Sequence, residues 1–117
     1  MGSQPEIAVV MPNFNKGKFI AESIESVLSQ TFPDFELIIV DDTSTDDSLS
    51  ICRGYASRDQ RIRVLQSERR SGDCVARNRG VAEAGAGVVA FIDSDDVYAP
   101  TKLAKQSNSS SRGRSPR

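Results

Sequence analysis

Three aspartates fall within four positions of the segment FIDSDDVYAP, residues 91–100, directly after an apolar run. Like charges this close repel each other unless a cation neutralises them. Mg²⁺ and Mn²⁺ prefer carboxylate oxygen, and Mg²⁺ is commonly held by one or two carboxylates together with substrate phosphates. The spacing of Asp93 and Asp95 would let one carboxylate face such an ion while the other faces a ribose hydroxyl. The alternative is an acidic turn in which Asp96 caps the next helix.

A second acidic segment, VDDTSTDD, carries Asp41 and Asp42 and also follows an apolar run. A metal ion at the two segments would allow them to bind an anionic diphosphate that they would otherwise repel. No G-x-G-x-x-G pattern follows the first apolar run, so a nicotinamide cofactor is not expected. Because Gly17 and Lys18 lack the other residues of a P-loop, phosphates should be bound through metal and basic side chains.

Composition excludes several other chemistries. The 117 residues suffice for one modest domain, and the net charge of −1 gives no reason to expect nucleic acid as a partner. The chain has no histidine, and its two cysteines, Cys52 and Cys74, lack metal-ligand spacing. Zinc sites and Ser-His or Cys-His nucleophiles are therefore not expected. Each cysteine lies in a helical pattern, which predicts two buried thiols.

Four apolar runs, rich in β-branched residues and separated by helix-length spacers, position these residues. The predicted strands are residues 6–11, 35–40, 62–67 and 88–93. The first helix is expected from about Lys18 until Pro33 stops it. Ser44 and Asp47 resemble a capping box that opens the second helix. The third helix is expected at about residues 73–84, with the glycines of GAG ending it.

The order β-α-β-α-β-α-β predicts a Rossmann-like, three-layer α/β/α fold with a parallel sheet, right-handed crossovers and helices on both faces. The third strand should lie near the sheet edge. Open sheets of this class bind ligands beyond the carboxyl ends of their strands, where both acidic segments fall. The domain is expected to span residues 6–106, after an extension at 1–5. Residues 107–117, serine-rich and basic, are expected to be disordered, with an RNA-binding or phosphorylatable tail as the alternative.

Several segments together resemble the N-terminal half of a family 2 glycosyltransferase of the GT-A fold. They are VVMPNFNKGKFIAESIESVLSQTFPDFELIIVDDTSTDDS, RNRG and FIDSDDVYAPTKL, and the resemblance covers about residues 6–105. It implies transfer of a sugar from a UDP- or GDP-linked donor to a hydroxyl of a saccharide or lipid-linked acceptor. The implied reaction inverts the anomeric centre, uses Mn²⁺ or Mg²⁺, and serves synthesis of cell-envelope polysaccharide.

The resemblance also implies roles in nucleotide binding. Phe14 matches an aromatic at the base-binding edge, and Pro12 shapes that turn. Asp41 matches the acidic residue that accepts a hydrogen bond from the base, whereas Asp42 only orients its loop in the alternative view. Arg77 matches an arginine near the nucleotide and diphosphate. The structural alternatives are a core residue for Phe14, a helix N-terminal charge for Asp41 and a surface charge for Arg77.

At the D-x-D motif, the resemblance implies that Asp95 is a metal ligand and that Asp93 contacts the metal or the ribose. Two positions depart from the family pattern. Thr43 stands where glycine is usual, and a positive φ there would strain a β-branched residue. Asp73 adds an acidic side chain beside Gly72, close to the expected phosphates.

The resemblance places the catalytic base and the acceptor pocket in the second half of the family's domain, which would leave this sheet truncated after its fourth strand. No catalytic residue is therefore assigned, and the isolated chain is expected to bind nucleotide weakly and turn over little. The open edge of the fourth strand predicts self-association as a homo-oligomer. The expected location is the cytoplasm, or the inner face of the membrane as a peripheral protein. A non-catalytic nucleotide-binding or interaction module of the same fold is the alternative function.

Overall fold

A computed structural model describes residues 5–84 and 87–104, in which strands and helices alternate as predicted. The strands are β1 (Ile7–Asn13), β2 (Phe35–Asp41), β3 (Ile62–Gln66) and β4 (Val88–Phe91). The helices are α1 (Ile20–Leu28), α2 (Ser48–Arg58) and α3 (Asp73–Glu83). The predicted tail at 107–117 and the first glycine of GAG lie outside the described residues, as do residues 1–4 of the N-terminal extension.

All four strands run parallel in the order β3-β2-β1-β4, which confirms the predicted sheet. β3 lies at one edge, also as predicted, and β4 lies at the other edge within the described part of the chain. Every residue of β1 is buried, because this strand is covered on both faces and paired on both sides. Its β-branched sequence suits a strand of that kind.

Helices cover both faces of the sheet, and the alternation of side chains along a strand decides which helix each residue meets. Ile7, Val9 and Met11 of β1 belong to the larger core, which they share with residues of α1 and α2. Ile38 and Val40 of β2 belong to a separate, smaller cluster with Ala76 of α3. α1 contributes an apolar stripe spaced for a helix: Ile20, Ile24 and Val27.

Gly80 brings α3 close to the sheet. A Cβ atom at this position would lie only 2.4 Å from Cγ1 of Val10 on β1. This contact confirms the prediction that Gly80 permits close packing of helix on sheet despite its low helix propensity.

The structure corrects several local predictions. β1 continues to Asn13, two residues beyond the predicted end, because Asn13 still pairs with Asp41 of β2. The capping box is wrong: α2 begins only at Ser48, and the Ser44 hydroxyl bonds to Asp41 instead. Cys52 is buried as predicted, but Cys74 is exposed because it lies on a face of α3 turned away from the sheet.

Candidate functional site

The carboxyl ends of β1, β2 and β4 lie at the same end of the sheet because the strands are parallel. A cavity of about 260 Å³ opens there. It is lined by Pro12, Phe14, Lys16, Arg70, Asp73, Asp93, Ser94 and Asp95. The structure therefore brings the carboxyl end of β1, the residues that follow it and the D-x-D motif after β4 to one place. Arg70 of the loop between β3 and α3 and Asp73, the first residue of α3, lie there as well.

Asp93 and Asp95 both offer carboxylate oxygens at the cavity, with side chains 53% and 42% exposed. Each is paired with a cation at a long distance. Arg77 Nη2 lies 3.4 Å from Asp93 Oδ1, and Lys16 Nζ lies 3.4 Å from Asp95 Oδ2. Exposed pairs of this length contribute little to stability, so both carboxylates are available to exchange partners.

Hydroxyl groups of α1 hold the loop that carries the D-x-D motif. The Ser23 hydroxyl is placed to donate to the carbonyl of Ser94 at 3.0 Å or to that of Asp96 at 2.5 Å. The backbone N–H of Asp96 in turn donates to the carbonyl of Asp93 at 3.0 Å, which closes a turn. The next described helical residues begin only at Lys102, so Asp96 does not cap a helix at this point. Ser23 is fully buried, so its hydrogen bonds connect the loop to the interior of the protein.

Asp41 faces the protein interior and is not among the residues that line the cavity. Its Oδ1 accepts hydrogen bonds from Asn13 Nδ2 at 2.8 Å and from the Ser44 hydroxyl at 2.7 Å. Its Oδ2 accepts from the backbone N–H of Ser44 at 3.0 Å. In this arrangement the carboxylate joins the ends of β1 and β2 rather than facing the cavity.

Asn13 completes this junction. Its Nδ2 also approaches the hydroxyls of Ser44 at 3.3 Å and Ser48 at 2.9 Å, so one amide connects β1 with the segment leading into α2. Its Oδ1 is buried without a partner among the described residues. Sequence reasoning missed Asn13, although a polar residue directly after a run of apolar residues was a usable signal.

Asp42 is 1% exposed and organises the loop between β3 and α3. Its carboxylate accepts from the backbone N–H groups of Ser71 and Gly72, each at 2.8 Å, and from Arg70 Nη1 at 2.9 Å. Arg70 also lies over Phe14, with Cζ 3.8 Å from the ring centroid. These contacts orient the loop between β3 and α3, whereas the alternative view of Asp42 concerned its own loop after β2.

Thr43 adopts φ 62°, so the position where the family usually has glycine does have a positive φ in this chain. This region of backbone conformation costs a residue with a Cβ roughly 1–2 kcal/mol. The Thr43 hydroxyl bonds to the carbonyl of Asp42 at 2.5 Å, a local contact that accompanies the strained conformation.

Comparison with known proteins shows the family to which the chain belongs. Residues 8–114 match the family model named Glycosyl transferase family 2. The chain belongs to this family. It is 43% identical to TuaG of Bacillus subtilis strain 168, a glycosyltransferase assigned by name to teichuronic acid biosynthesis, over 88% of this chain and 41% of TuaG.

Solved structures share the fold of this family 2 glycosyltransferase chain. S. aureus TarS 1–349 in complex with UDP-GlcNAc superposes with a TM-score of 0.84 at 34% identity, over 91% of this chain and 31% of TarS. The mannosyltransferase PcManGT of Pyrobaculum calidifontis, in complex with GDP-Man and Mn²⁺, gives a TM-score of 0.79 at 26% identity, over 87% of this chain and 31% of that protein. The chain thus spans about two-fifths or less of the length of these relatives.

The carboxylates that this member of the family offers at the cavity fit a hard divalent cation in part. Two exposed carboxylates of one motif face the same cavity, and oxygen ligands of this kind suit Mg²⁺ and Mn²⁺. Within residues 5–84 and 87–104, no three acidic, cysteine or histidine side chains gather as a complete set of metal ligands. An ion at Asp93 and Asp95 would therefore need further oxygens from a ligand, as Mg²⁺ commonly takes from substrate phosphates. Over the same ranges, no helix has the length and apolarity needed to cross a membrane.

Proposed function

We propose that residues 6–106 form the donor-binding part of an inverting, metal-dependent glycosyltransferase and hold the nucleotide diphosphate of the donor in the cavity. The observation that carries this proposal is the convergence of Asp93, Asp95 and Phe14 on one cavity at the carboxyl ends of parallel strands. Ligands of open α/β sheets bind at this edge. An acidic surface alone would repel a diphosphate, so the proposal requires a cation.

Asp93 and Asp95 would hold the Mn²⁺ or Mg²⁺, with Asp93 also near the ribose. A bound ion of this kind supplies Lewis-acid stabilisation of the charge that develops on a departing diphosphate. Arg77 and Lys16, now paired with these carboxylates, would then be free to donate to phosphate oxygens. The guanidinium fork of Arg77 suits two oxygens at once, whereas Lys16 acts as a point charge.

Pro12 and Phe14 would form the wall where the base lies, because Pro12 lies near the carboxyl end of β1, Phe14 follows that strand directly, and both line the cavity. Asp41 has a supporting part in this proposal: its buried hydrogen bonds fix the position from which that wall emerges. No residue of this chain is proposed as the catalytic base.

The sugar of the donor would be linked to UDP or GDP, since solved relatives are in complex with UDP-GlcNAc and with GDP-Man. The acceptor would be a saccharide or lipid-linked hydroxyl in cell-envelope polysaccharide synthesis, a proposal supported by the name of TuaG. Such a protein would act in the cytoplasm or at the inner face of the membrane. β4 lies at an edge of the sheet among the described strands, and an open strand edge makes self-association in solution an accompanying expectation.

Calorimetric titration of the chain with UDP and GDP, with and without Mn²⁺, tests the proposal. Mn²⁺ should increase the affinity for at least one of the two nucleotides. Asp95→Asn should lower the affinity measured with Mn²⁺ by roughly tenfold or more, because it removes the charge of a metal ligand. Asp34→Asn is the matched control, since Asp34 precedes β2 and so lies at the opposite edge of the sheet. Nucleotide binding that ignores Mn²⁺, or that falls equally in both variants, would contradict a metal site at the D-x-D motif.

A further inference from the structure

Helix α1 carries a polar stripe beside its apolar one, formed by Ser23, Ser26 and Gln30. Their spacing of three and then four residues places them on one face of the helix. Ser23 is fully buried and Gln30 is 7% exposed. All three bond to the segment that follows β4, with partners 69 to 73 positions away in the chain. The polar stripe therefore connects α1 to the segment that begins with the D-x-D motif.

The far end of that segment is held by Gln30 and Ser26. Gln30 Nε2 donates to the carbonyl of Ala99 at 2.7 Å, and Gln30 Oε1 accepts from the backbone N–H of Leu103 at 2.9 Å. The Ser26 hydroxyl accepts from the backbone N–H of Tyr98 at 3.0 Å. None of these bonds involves residues 93–96, so they fix the course of the segment without contacting the D-x-D turn.

The near end of the segment is held by Ser23. Its hydroxyl lies between the carbonyls of Ser94 and Asp96, at 3.0 and 2.5 Å, and these two residues flank Asp95. The backbone N–H of Asp96 donates to the carbonyl of Asp93 at 3.0 Å and closes the turn. One buried hydroxyl thus contacts the backbone on both sides of Asp95.

The exposed carboxylates of Asp93 and Asp95 cannot fix their own positions. Each has one ion pair at 3.4 Å, and exposed pairs of that length are weak. Their placement therefore depends on the backbone turn that carries them. The bond between Ser23 and the Ser94 carbonyl is buried, so water does not readily replace a lost hydroxyl donor there. A buried acceptor without a donor is costly, and the turn would rearrange to avoid it.

We propose that Ser23 is a positioning residue of the cation site, whose hydroxyl holds the turn at residues 93–96 so that the carboxylates of Asp93 and Asp95 meet one ion. This inference rests on the proposed function. Ser23 touches neither the cation nor the donor and acts through the backbone. Groups that orient metal ligands from outside the coordination shell typically alter metal affinity by roughly 10–100-fold. Gln30, which bonds the same segment farther along, should have no such effect.

Calorimetric titration with UDP and GDP, each with and without Mn²⁺, tests this role on the unaltered chain and three variants. Ser23→Ala removes the hydroxyl, whereas Ser23→Cys keeps a side chain of similar size with a weaker donor. Gln30→Met is the matched control, because it removes hydrogen bonds from the same stripe to the same segment but none to the turn. Thermal unfolding measures the stability of each variant, and Gln30→Met should lose at least as much as Ser23→Ala because it loses more hydrogen bonds.

Ser23→Ala should lower the affinity measured with Mn²⁺ by roughly tenfold and leave the affinity without Mn²⁺ unchanged. Ser23→Cys should show a smaller loss of the same kind, and Gln30→Met should alter neither affinity.

The possible results separate this inference from the proposed function. If Mn²⁺ strengthens nucleotide binding and both Ser23 variants keep the full increase, the inference is wrong and the proposed function stands. Equal losses in Ser23→Ala and Gln30→Met, or a loss in Ser23→Ala that also appears without Mn²⁺, would make Ser23 a residue of general stability and overturn its positioning role. If Mn²⁺ does not strengthen binding of either nucleotide to the unaltered chain, the proposed function fails, and the inference fails with it.

Discussion

Asn13 Nδ2 donates a hydrogen bond to Asp41 Oδ1 at 2.8 Å, and the two residues are register partners at the last position of β1 and β2. Both side chains are buried. Because Phe14 follows Asn13 and Asp42 follows Asp41, this contact fixes where the two loops leave the sheet. The cavity wall and the anchor of Arg70 therefore depend on a buried polar pair that does not face the cavity.

Asp41→Asn should lower the free energy of unfolding by about 2 kcal/mol, because the new amide places a donor against the donors of Asn13 and Ser44. Urea unfolding measures this change. Asp95→Asn is the matched control: its side chain is 42% exposed and its ion pair is long, so stability should change by less than about 0.5 kcal/mol. Equal effects of the two substitutions would contradict the scaffold role of Asp41.

Gly80→Ala should destabilise the chain by about 1–3 kcal/mol, because the added methyl group overlaps Val10 and either the side chain or α3 must shift. Gly54→Ala on α2 is the matched control. No atom lies within 4 Å of a Cβ built at Gly54, so this substitution should stabilise the chain by up to about 1 kcal/mol through helix propensity. Thermal unfolding of the pair should therefore show shifts of opposite sign.

Thr43→Gly should raise the free energy of unfolding by roughly 1 kcal/mol, since glycine adopts φ 62° without the cost that a Cβ imposes. Thr31→Gly at an exposed position outside the helices and strands should instead lower it slightly, through the greater freedom of the unfolded chain. Chemical denaturation of both variants checks the comparison. A destabilised Thr43→Gly would show that the hydroxyl contact with Asp42 outweighs the backbone strain.

The sequence was sufficient for the architecture because each signal for it is local. Runs such as EIAVVM and FELIIV are apolar at almost every position, and a strand covered on both faces uses such a run. Gly80 was interpreted correctly for the same reason, since one glycine within a helical pattern calls for a packing explanation. Helix starts were less accurate: Ser44 satisfies the spacing of a capping box, but Asp41 and Asn13 compete for its hydrogen bonds.

The site was predicted only in part, because its decisive contacts join distant segments. Lys16 meets Asp95 across 79 positions, and Arg70 meets Asp42 across 28. No periodicity or spacing signals such pairs. The same applies to the choice between Asp41 and Asp42, which are adjacent in sequence but bonded to different segments of the chain.

The two cysteines should differ sharply in reactivity. Burial, together with the charges of Asp41 and Asp46, raises the pKa of Cys52 to about 12, whereas Cys74 is exposed. A maleimide at pH 7 should modify one thiol per folded chain, and Cys74→Ser should remove that reaction. Two rapidly modified thiols in the folded chain would contradict the buried position of Cys52.

Cys52 also predicts a loss of stability in alkali. The folded chain holds the Cys52 proton up to about pH 12, whereas an unfolded chain releases it near 9.0, the ordinary pKa of a cysteine thiol. Its contribution is therefore complete below pH 9.0 and is lost as the pH rises toward about 12. Cys52→Ala, although less stable overall, should show a shallower decline in the free energy of unfolding across this range.

Paramagnetic broadening by Mn²⁺ is the sharpest test of whether a cation at the D-x-D motif joins the chain to a nucleotide diphosphate. Amide resonances of the isotope-labelled chain are recorded with UDP or GDP and a trace of Mn²⁺, with Mg²⁺ as the diamagnetic reference. Broadening should be greatest at residues 93–96, weaker at Phe14 and absent near Asp34 at the opposite edge of the sheet. Broadening centred on the other acidic loop, residues 45–47, or spread evenly over the chain would mean that the cation does not bind at the D-x-D motif.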